Sequence, residues 1–247
     1  MKKTLSLIFT AVFLAVCLVP GLGLLFTGGS DAAANEILPA APVLSADGTF
    51  NADVLSDTAA YVDGRFSLRL ECITAWAKLN AALFHSSTAE NVLIGSDGWL
   101  FYAPTLDDYT GDAPMTAREI YCAARTLYLL QEYAESRGGD FLFTAAPNKN
   151  TLYGEYMPAR TRLGGVSNMD ALYALLDEMD VSYLDLRDVF SQEAEPLYFK
   201  TDSHWNAKGA ALAADALLAA LGRQSDFYAA AVPAGNTHRG DLYEMLY

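Results

Sequence analysis

Phe141-Leu142-Phe143-Thr144-Ala145-Ala146, preceded by Gly138-Gly139 and followed by Pro147-Asn148-Lys149-Asn150, is the stretch from which the fold is read. It is too short for a helix and almost uninterrupted in its apolar character, as a strand covered on both faces of a parallel sheet must be. Upstream, residues 115–137 repeat apolar side chains at helical spacing and stop at the Gly pair, a C-terminal helix signal. Downstream come a helix over 168–179, a second strand over 181–186 and an alanine-rich helix over 207–221. Strands alternating with helices of this length predict βαβ units: an α/β fold, with a parallel sheet flanked by helices in three layers. Ligands in such folds bind beyond the carboxyl ends of strands. That directs attention to residues 95–98, 147–150 and 201–205.

Towards the N-terminus, residues 92–94 and 99–102 read as short strands around a Gly95–Gly98 turn. Residues 53–84 read as helix, kinked or divided at Gly64. Residues 28–50, rich in Gly, Ala, Pro and Ser, read as a flexible tether. Before them, Lys2 and Lys3 precede 22 uncharged residues, 5–26. As a helix this run is about 33 Å long, the thickness of a bilayer's hydrocarbon core. Residues 1–27 are therefore a signal peptide, with Ala32-Ala33-Ala34 as the cleavage region, or an uncleaved membrane anchor. In both cases the basic end stays inside and the remainder, with a domain over 51–247, is exported.

The chain has 247 residues, 52% of them hydrophobic and 19% charged, so a packed core is expected. Sixteen Lys and Arg stand against thirty Asp and Glu, a formal charge of −14. Such a surface repels phosphate backbones, and no nucleic-acid partner is expected. Three cysteines without a C-x-x-C pair give no thiolate zinc site. Cys72 and Cys122 are expected to be buried as small hydrophobes.

Three histidines can be taken singly. His85 reads as a solvated residue at a helix end, and His238 lies in a polar loop with no acidic partner at ligand spacing. His204 follows Asp202 by two residues, with Trp205 and Asn206 next. In extended backbone the Asp202 and His204 side chains share a face. In a tight turn the carboxylate folds onto imidazole Nδ1, fixing the tautomer and raising the basicity of Nε2, as a general base for a hydroxyl requires. By spacing alone, a structural hydrogen-bonded Asp–His pair at a helix entrance is the favoured reading. No third ligand stands at metal spacing, and neither metal nor cofactor is expected.

Three stretches, Asn91-Val-Leu-Ile-Gly-Ser-Asp-Gly-Trp-Leu-Phe-Tyr102, Ala146-Pro-Asn-Lys-Asn-Thr-Leu-Tyr153 and Tyr198-Phe-Lys-Thr-Asp-Ser-His-Trp-Asn206, together resemble a known family in order and spacing. It is the SGNH-hydrolase-like family of the alginate O-acetyltransferases (the AlgX/AlgJ type), close to the DHHW family. The resemblance implies an exported SGNH-like α/β domain that handles acetyl groups on cell-surface polysaccharide through a Ser–His–Asp triad. Its partners would be the polysaccharide and an acetyl donor or membrane acetyl-transfer protein. The family's D-x-H-W element falls on Asp202, His204 and Trp205: Asp202 orients, His204 is the base and Trp205 packs beside them. Its P-x-K element falls on Pro147 and Lys149; Lys149 would have a site-wall or structural role, with Asn148 and Trp205 on the same wall.

In that family the nucleophilic serine follows the D-x-H-W element on a further strand–turn–helix. Here 43 residues follow His204, and their sole serine, Ser225, has no apolar strand before it. The expectation is a domain incomplete at its C-terminus with little serine-dependent activity. Ser96, after the apolar 92–94 strand, is a second candidate nucleophile, set against an ordinary Gly-Ser-Asp-Gly turn. A non-catalytic, surface-anchored glycan- or partner-binding module is the alternative function. Alginate is only the family's namesake: an acidic protein is poorly steered to a polyanion, which keeps neutral and amino-sugar glycans open.

Overall fold

The computed structural model describes all residues except 1, 28, 31, 33–36, 47, 159–160, 162–163, 234–237 and 247. The chain divides into two compact units, residues 1–83 with 247, and residues 84–246. The first unit holds α1 (Lys2–Thr27), a two-residue hairpin β1 (Ser45–Ala46) and β2 (Thr49–Phe50), α2 (Val54–Arg65) and α3 (Arg69–Phe84). Helix α1 runs through Pro20, and its segment Lys3–Phe26 is long and apolar enough to cross a membrane; a signal sequence meets the same test. The expected tether includes residues 28, 31, 33–36 and 47, and the expected cleavage region includes 33 and 34. These lie outside the described residues. The break expected at Gly64 falls four residues later, where Leu68 takes a left-handed φ of 65° between α2 and α3.

The second unit contains β3 (Val92–Ile94), β4 (Leu100–Tyr102), α4 (Leu106–Thr110), α5 (Ala117–Ser136), β5 (Phe143–Ala145), α6 (Lys149–Leu152), α7 (Asn168–Glu178), β6 (Tyr183–Asp185), α8 (Leu186–Phe190), α9 (Ala207–Ala220), α10 (Phe227–Ala230) and α11 (Asp241–Leu246). The alternation is as expected, but the sheet is smaller. Among the described residues β5 and β6 form a parallel pair, Phe143 opposite Tyr183, while β3 and β4 form an antiparallel hairpin. The hairpin has a local cause. Asp97 (φ 52°) and Gly98 (φ 79°) both take positive φ, and Trp99 N–H closes the turn on Ser96 C=O at 3.0 Å. A two-residue turn of this kind returns the chain antiparallel to itself.

Helix ends are set by local chemistry. Thr116 and Glu119 make a reciprocal capping box at the start of α5, and Ser167 and Asp170 do the same for α7. Gly138, at φ 73°, ends α5. Asn206 caps α9 by accepting from the N–H groups of Lys208 and Gly209. Asp185 accepts from Arg187 N–H at 2.9 Å, which starts α8 and ends β6 one residue before the expected boundary.

Two cores form. In one, α5 and α7 cover β5 and β6 through Ala124, Leu172, Tyr173, Leu176 and Val181, joined by Phe143 and Tyr183. Gln131, buried on α5, braces this layer: its amide donates to Asp180 C=O at 3.0 Å and its carbonyl accepts from Ser182 N–H at 2.7 Å. The second core gathers Trp99, Phe101, Tyr109, Leu186, Phe190, Leu197 and Tyr198. Trp99 stacks on Tyr153 and Tyr156 at centroid distances of 4.6 and 4.9 Å. The expected burial of Cys72 and Cys122 is not found; both thiols are free and exposed. On α5 the buried positions are Ile120, Ala124 and Gln131, and Cys122 stands off that face.

Leu176 is fully buried, whereas Leu130 is half exposed. Leu176→Ala should cost about 3 kcal/mol of stability in urea denaturation, the loss typical of a truncated core leucine. Leu130→Ala should stay within about 0.5 kcal/mol of the parent.

Candidate active site

Residues 197–206 fold as a tight excursion between the second core and α9. Asn206 N–H bonds Leu197 C=O at 2.7 Å, and Tyr198 and Trp205 pair as an isolated antiparallel bridge. Asp202 and His204 lie at its tip. Of the two geometries open to a D-x-H pair, the tight turn is the one adopted. Asp202 Oδ1 accepts from His204 N–H at 3.0 Å and contacts His204 Nδ1 at 2.8 Å. An ionised carboxylate can only accept, so the ring proton sits on Nδ1 and the lone pair on Nε2. The His204 side chain is 75% exposed, while that of Asp202 is 13% exposed. Among the described residues no hydrogen-bond partner occupies His204 Nε2.

The loop is held from below by Lys149. This lysine opens α6, just past the carboxyl end of β5, and is 5% exposed. Its Nζ donates to Leu100 C=O (2.7 Å), Lys200 C=O (2.8 Å) and Asp202 C=O (2.9 Å). The same ammonium lies 5.0 Å from the Trp99 ring centroid and 5.4 Å from that of Phe101. Burial pulls the pKa of this amine down to about 7, against the opposing pull of the Asp202 and Asp241 carboxylates. Three acceptors use all three ammonium protons, so the charged form is the one that fits.

From above, the segment 238–243 closes over the loop, a contact that sequence spacing did not reveal. Ser203 N–H donates to Asp241 Oδ1 at 2.7 Å, and the Ser203 hydroxyl bonds Asp241 Oδ2. Tyr243 N–H reaches Thr201 C=O at 3.1 Å. A Cβ on Gly240 would stand 2.3 Å from Asp202 Cβ, so only glycine permits this approach. His238, expected to lack an acidic partner, places Nε2 3.0 Å from Asp202 Oδ2. Only tertiary structure joins them, 36 residues apart. Burial would raise the Asp202 carboxyl, but hydrogen bonds from His238, from the His204 N–H and ring, and from Asp241 outweigh it and hold the group well below the usual carboxylate range.

A cavity of about 320 Å³ opens beside His204, lined by Tyr102, Asn148, Lys149, Asn150, Ser203 and Trp205 among others. The structure thus brings Asn148, Lys149 and Trp205 to the wall beside His204. Trp205 also packs on Phe190, ring centroids 5.9 Å apart. Ser96 is elsewhere: it begins the β3–β4 turn, does not line this cavity and makes no hydrogen bond to His204 or Asp202. Ser203 touches His204, but on the Nδ1 side at 3.2 Å. Asp202, His204 and Asp241 bring potential metal-ligand atoms within 4.8 Å of one another. All are already hydrogen-bonded among themselves or to Ser203, and we assign no metal centre to them.

Two outcomes follow from this arrangement. Lys149→Met removes a donor from three carbonyls, of which Lys200 C=O keeps the Leu100 N–H at 2.8 Å, and should lower stability by about 3 kcal/mol, with faster proteolysis near residues 200–204 as the local readout. A carboxyl lowered on folding stabilises above its unfolded value and loses that contribution as pH falls towards its folded value. Stability should therefore decline with acidification below about pH 4, and Asp202→Asn should flatten that decline in acid-titrated urea melts.

A family model described as "SGNH hydrolase-like domain, acetyltransferase AlgX" matches residues 92–246. Three curated relatives, each called "Probable alginate O-acetylase AlgJ", come from Pseudomonas putida, Pseudomonas aeruginosa and Pseudomonas syringae pv. tomato. They are 25%, 27% and 24% identical over 100%, 76% and 100% of this chain. The alignments cover 62%, 49% and 61% of those proteins, so the chain spans about half to three-fifths of their length. A solved structure, "O-Acetyltransferase Domain of Pseudomonas putida AlgJ", aligns with 64% of this chain and 58% of its own, at 24% identity and a TM-score of 0.46. With the matched region taking in the β3–β4 hairpin, the Pro147–Lys149 segment and the Asp202–His204 loop, the chain belongs to the SGNH hydrolase-like family of the acetyltransferase AlgX.

Proposed function

We propose that this chain carries the histidine–aspartate part of an acetyl-transfer site for a cell-surface polysaccharide, on a domain exported or anchored through α1. The observation that carries the reading is the state of His204. Its Nδ1–H is tied to a largely shielded carboxylate, and its Nε2 is free beside a cavity at the carboxyl end of a parallel strand. That is the arrangement a general base for a hydroxyl needs.

The attacking hydroxyl in this reading is a serine. The family resemblance orders it after the D-x-H-W element. In the first half-reaction serine Oγ attacks the donor's acetyl carbonyl and its proton passes to His204 Nε2. The same proton then leaves with the donor's alcohol, giving acetyl-serine. In the second, a glycan hydroxyl gives its proton to Nε2 and attacks the acetyl-serine; the proton returns to serine Oγ as the acetylated glycan departs. Asp202 holds the tautomer and stabilises the imidazolium formed in each half. The Asn148 side chain, on the cavity wall and without a hydrogen bond among the described residues, is a contact for the acetyl ester or the sugar.

In a form of the protein that turns over an acetyl-ester surrogate, His204→Ala should cut that turnover by about 10³-fold or more. Unchanged turnover would remove His204 from the mechanism. The 247-residue chain treated with a serine-directed phosphonate should yield no labelled peptide. Labelling at Ser96 or Ser203 would overturn the placement of the nucleophile.

A further inference from the structure

The Asp202 carboxylate serves two imidazoles at once. Oδ1 faces His204 Nδ1 at 2.8 Å, and Oδ2 faces His238 Nε2 at 3.0 Å. Its other partners are the backbone N–H groups of His204 at 3.0 Å and Asp241 at 3.4 Å. His238 is itself held in place: Phe199 stacks on its ring at 3.9 Å, and its carbonyl accepts from Thr201 Oγ1 at 2.8 Å. It lines a second cavity, of about 440 Å³, with Phe199, Lys200, Thr201 and Pro233. Asp202 thus stands between two openings, each faced by one imidazole.

We propose that His238 is a positioning residue for the His204–Asp202 pair, sharing the carboxylate so that a proton on either ring weakens the other's hold on its own. The proposal rests on the reading of His204 as the base only for its bearing on catalysis; the coupling itself is a property of the folded chain. Neighbouring charges leave the carboxylate to these two rings. Lys149 donates to the Asp202 carbonyl, Lys200 Nζ to Asp97 C=O at 3.2 Å, and Lys208 pairs with Glu195 at the rim of the second cavity. Arg239 lies over Tyr243, 5.3 Å from its centroid. Asp241 is the other carboxylate near His204, 3.7 Å from Nδ1, and it is bonded to Ser203.

The sign follows from charge. One carboxylate stabilises one imidazolium well; a second cation on its other oxygen meets a neutralised partner and a like charge. When His238 is charged, the imidazolium that His204 must form during proton transfer is therefore less stable.

The chain has only three histidines, so ¹⁵N-histidine labelling of the full chain in detergent micelles resolves each ring, with the exposed His85 as internal reference. We compare the parent with His238→Gln, which keeps an N–H donor for Asp202 but cannot titrate there, and with His204→Gln, read on His238. Whichever ring protonates second in the parent should titrate higher by about half a pH unit or more once the other is replaced. In Asp202→Asn the coupling between the rings should diminish. Midpoints that agree within about 0.2 pH unit with and without the partner ring, in both Gln variants, would overturn the proposal. If a Gln variant loses the loop fold, the Asn variant at the same position, which also offers an N–H and cannot titrate there, takes its place, so that both rings are read. Coupled rings with unchanged turnover in His204→Ala would sink the base reading alone. Uncoupled rings with lost turnover would sink only the role of His238.

Discussion

The Lys149 ammonium joins three pieces of chain that share no continuous secondary structure. It donates to Leu100 at the start of β4, to Lys200 and to Asp202, and it sits over the rings of Trp99 and Phe101. A buried charge is costly unless its protons are all accepted, and here three carbonyls accept them. The hairpin, the turn after β5 and the Asp202–His204 loop therefore form one polar knot above the aromatic core. With it in place, the backbone of Asp202 is pinned from below while its side chain remains available above.

What stands above completes the geometry. The segment 238–243 contributes a second imidazole, a second carboxylate and a glycine that lets the backbone close onto Asp202. Asp202 is nearly surrounded, yet His204 projects outwards with Nε2 unpaired. This asymmetry is what a proton-transferring pair needs: a fixed, ionised orienter and a ring that an incoming hydroxyl can reach. The cavity beside it opens where β5 ends, in keeping with the rule that α/β folds bind ligands beyond the carboxyl ends of their strands.

Much of this was legible in one dimension because its causes are local. Capping pairs three residues apart and the Gly138 stop mark α5 and α7 within a residue or two. The Asp202–His204 contact spans two positions, so a turn suffices to make it. The Ser96 turn was readable too, as Gly-Ser-Asp-Gly chemistry. Other features depended on contacts made across the chain. Gln131 looks like one more polar residue on an amphipathic helix until its amide is seen bridging Asp180 and Ser182. Cys122 looks apolar enough to bury, but the packed face of α5 passes through its neighbours instead.

By itself the sequence determined the succession of helices and strands, the apolar N-terminal helix and the short-range pairing of one carboxylate with one imidazole. All of these arise from hydrogen bonds and hydrophobic spacing within a few residues. Only the tertiary structure decided that, among the described residues, the sheet reduces to a parallel pair with a separate hairpin. It likewise decided that Lys149 anchors the loop from below and that His238 and Asp241 close it from above. Those contacts join residues 36 to 53 positions apart. No local pattern encodes such separations, because they form only when packing brings distant backbone together and leaves buried charges to be satisfied.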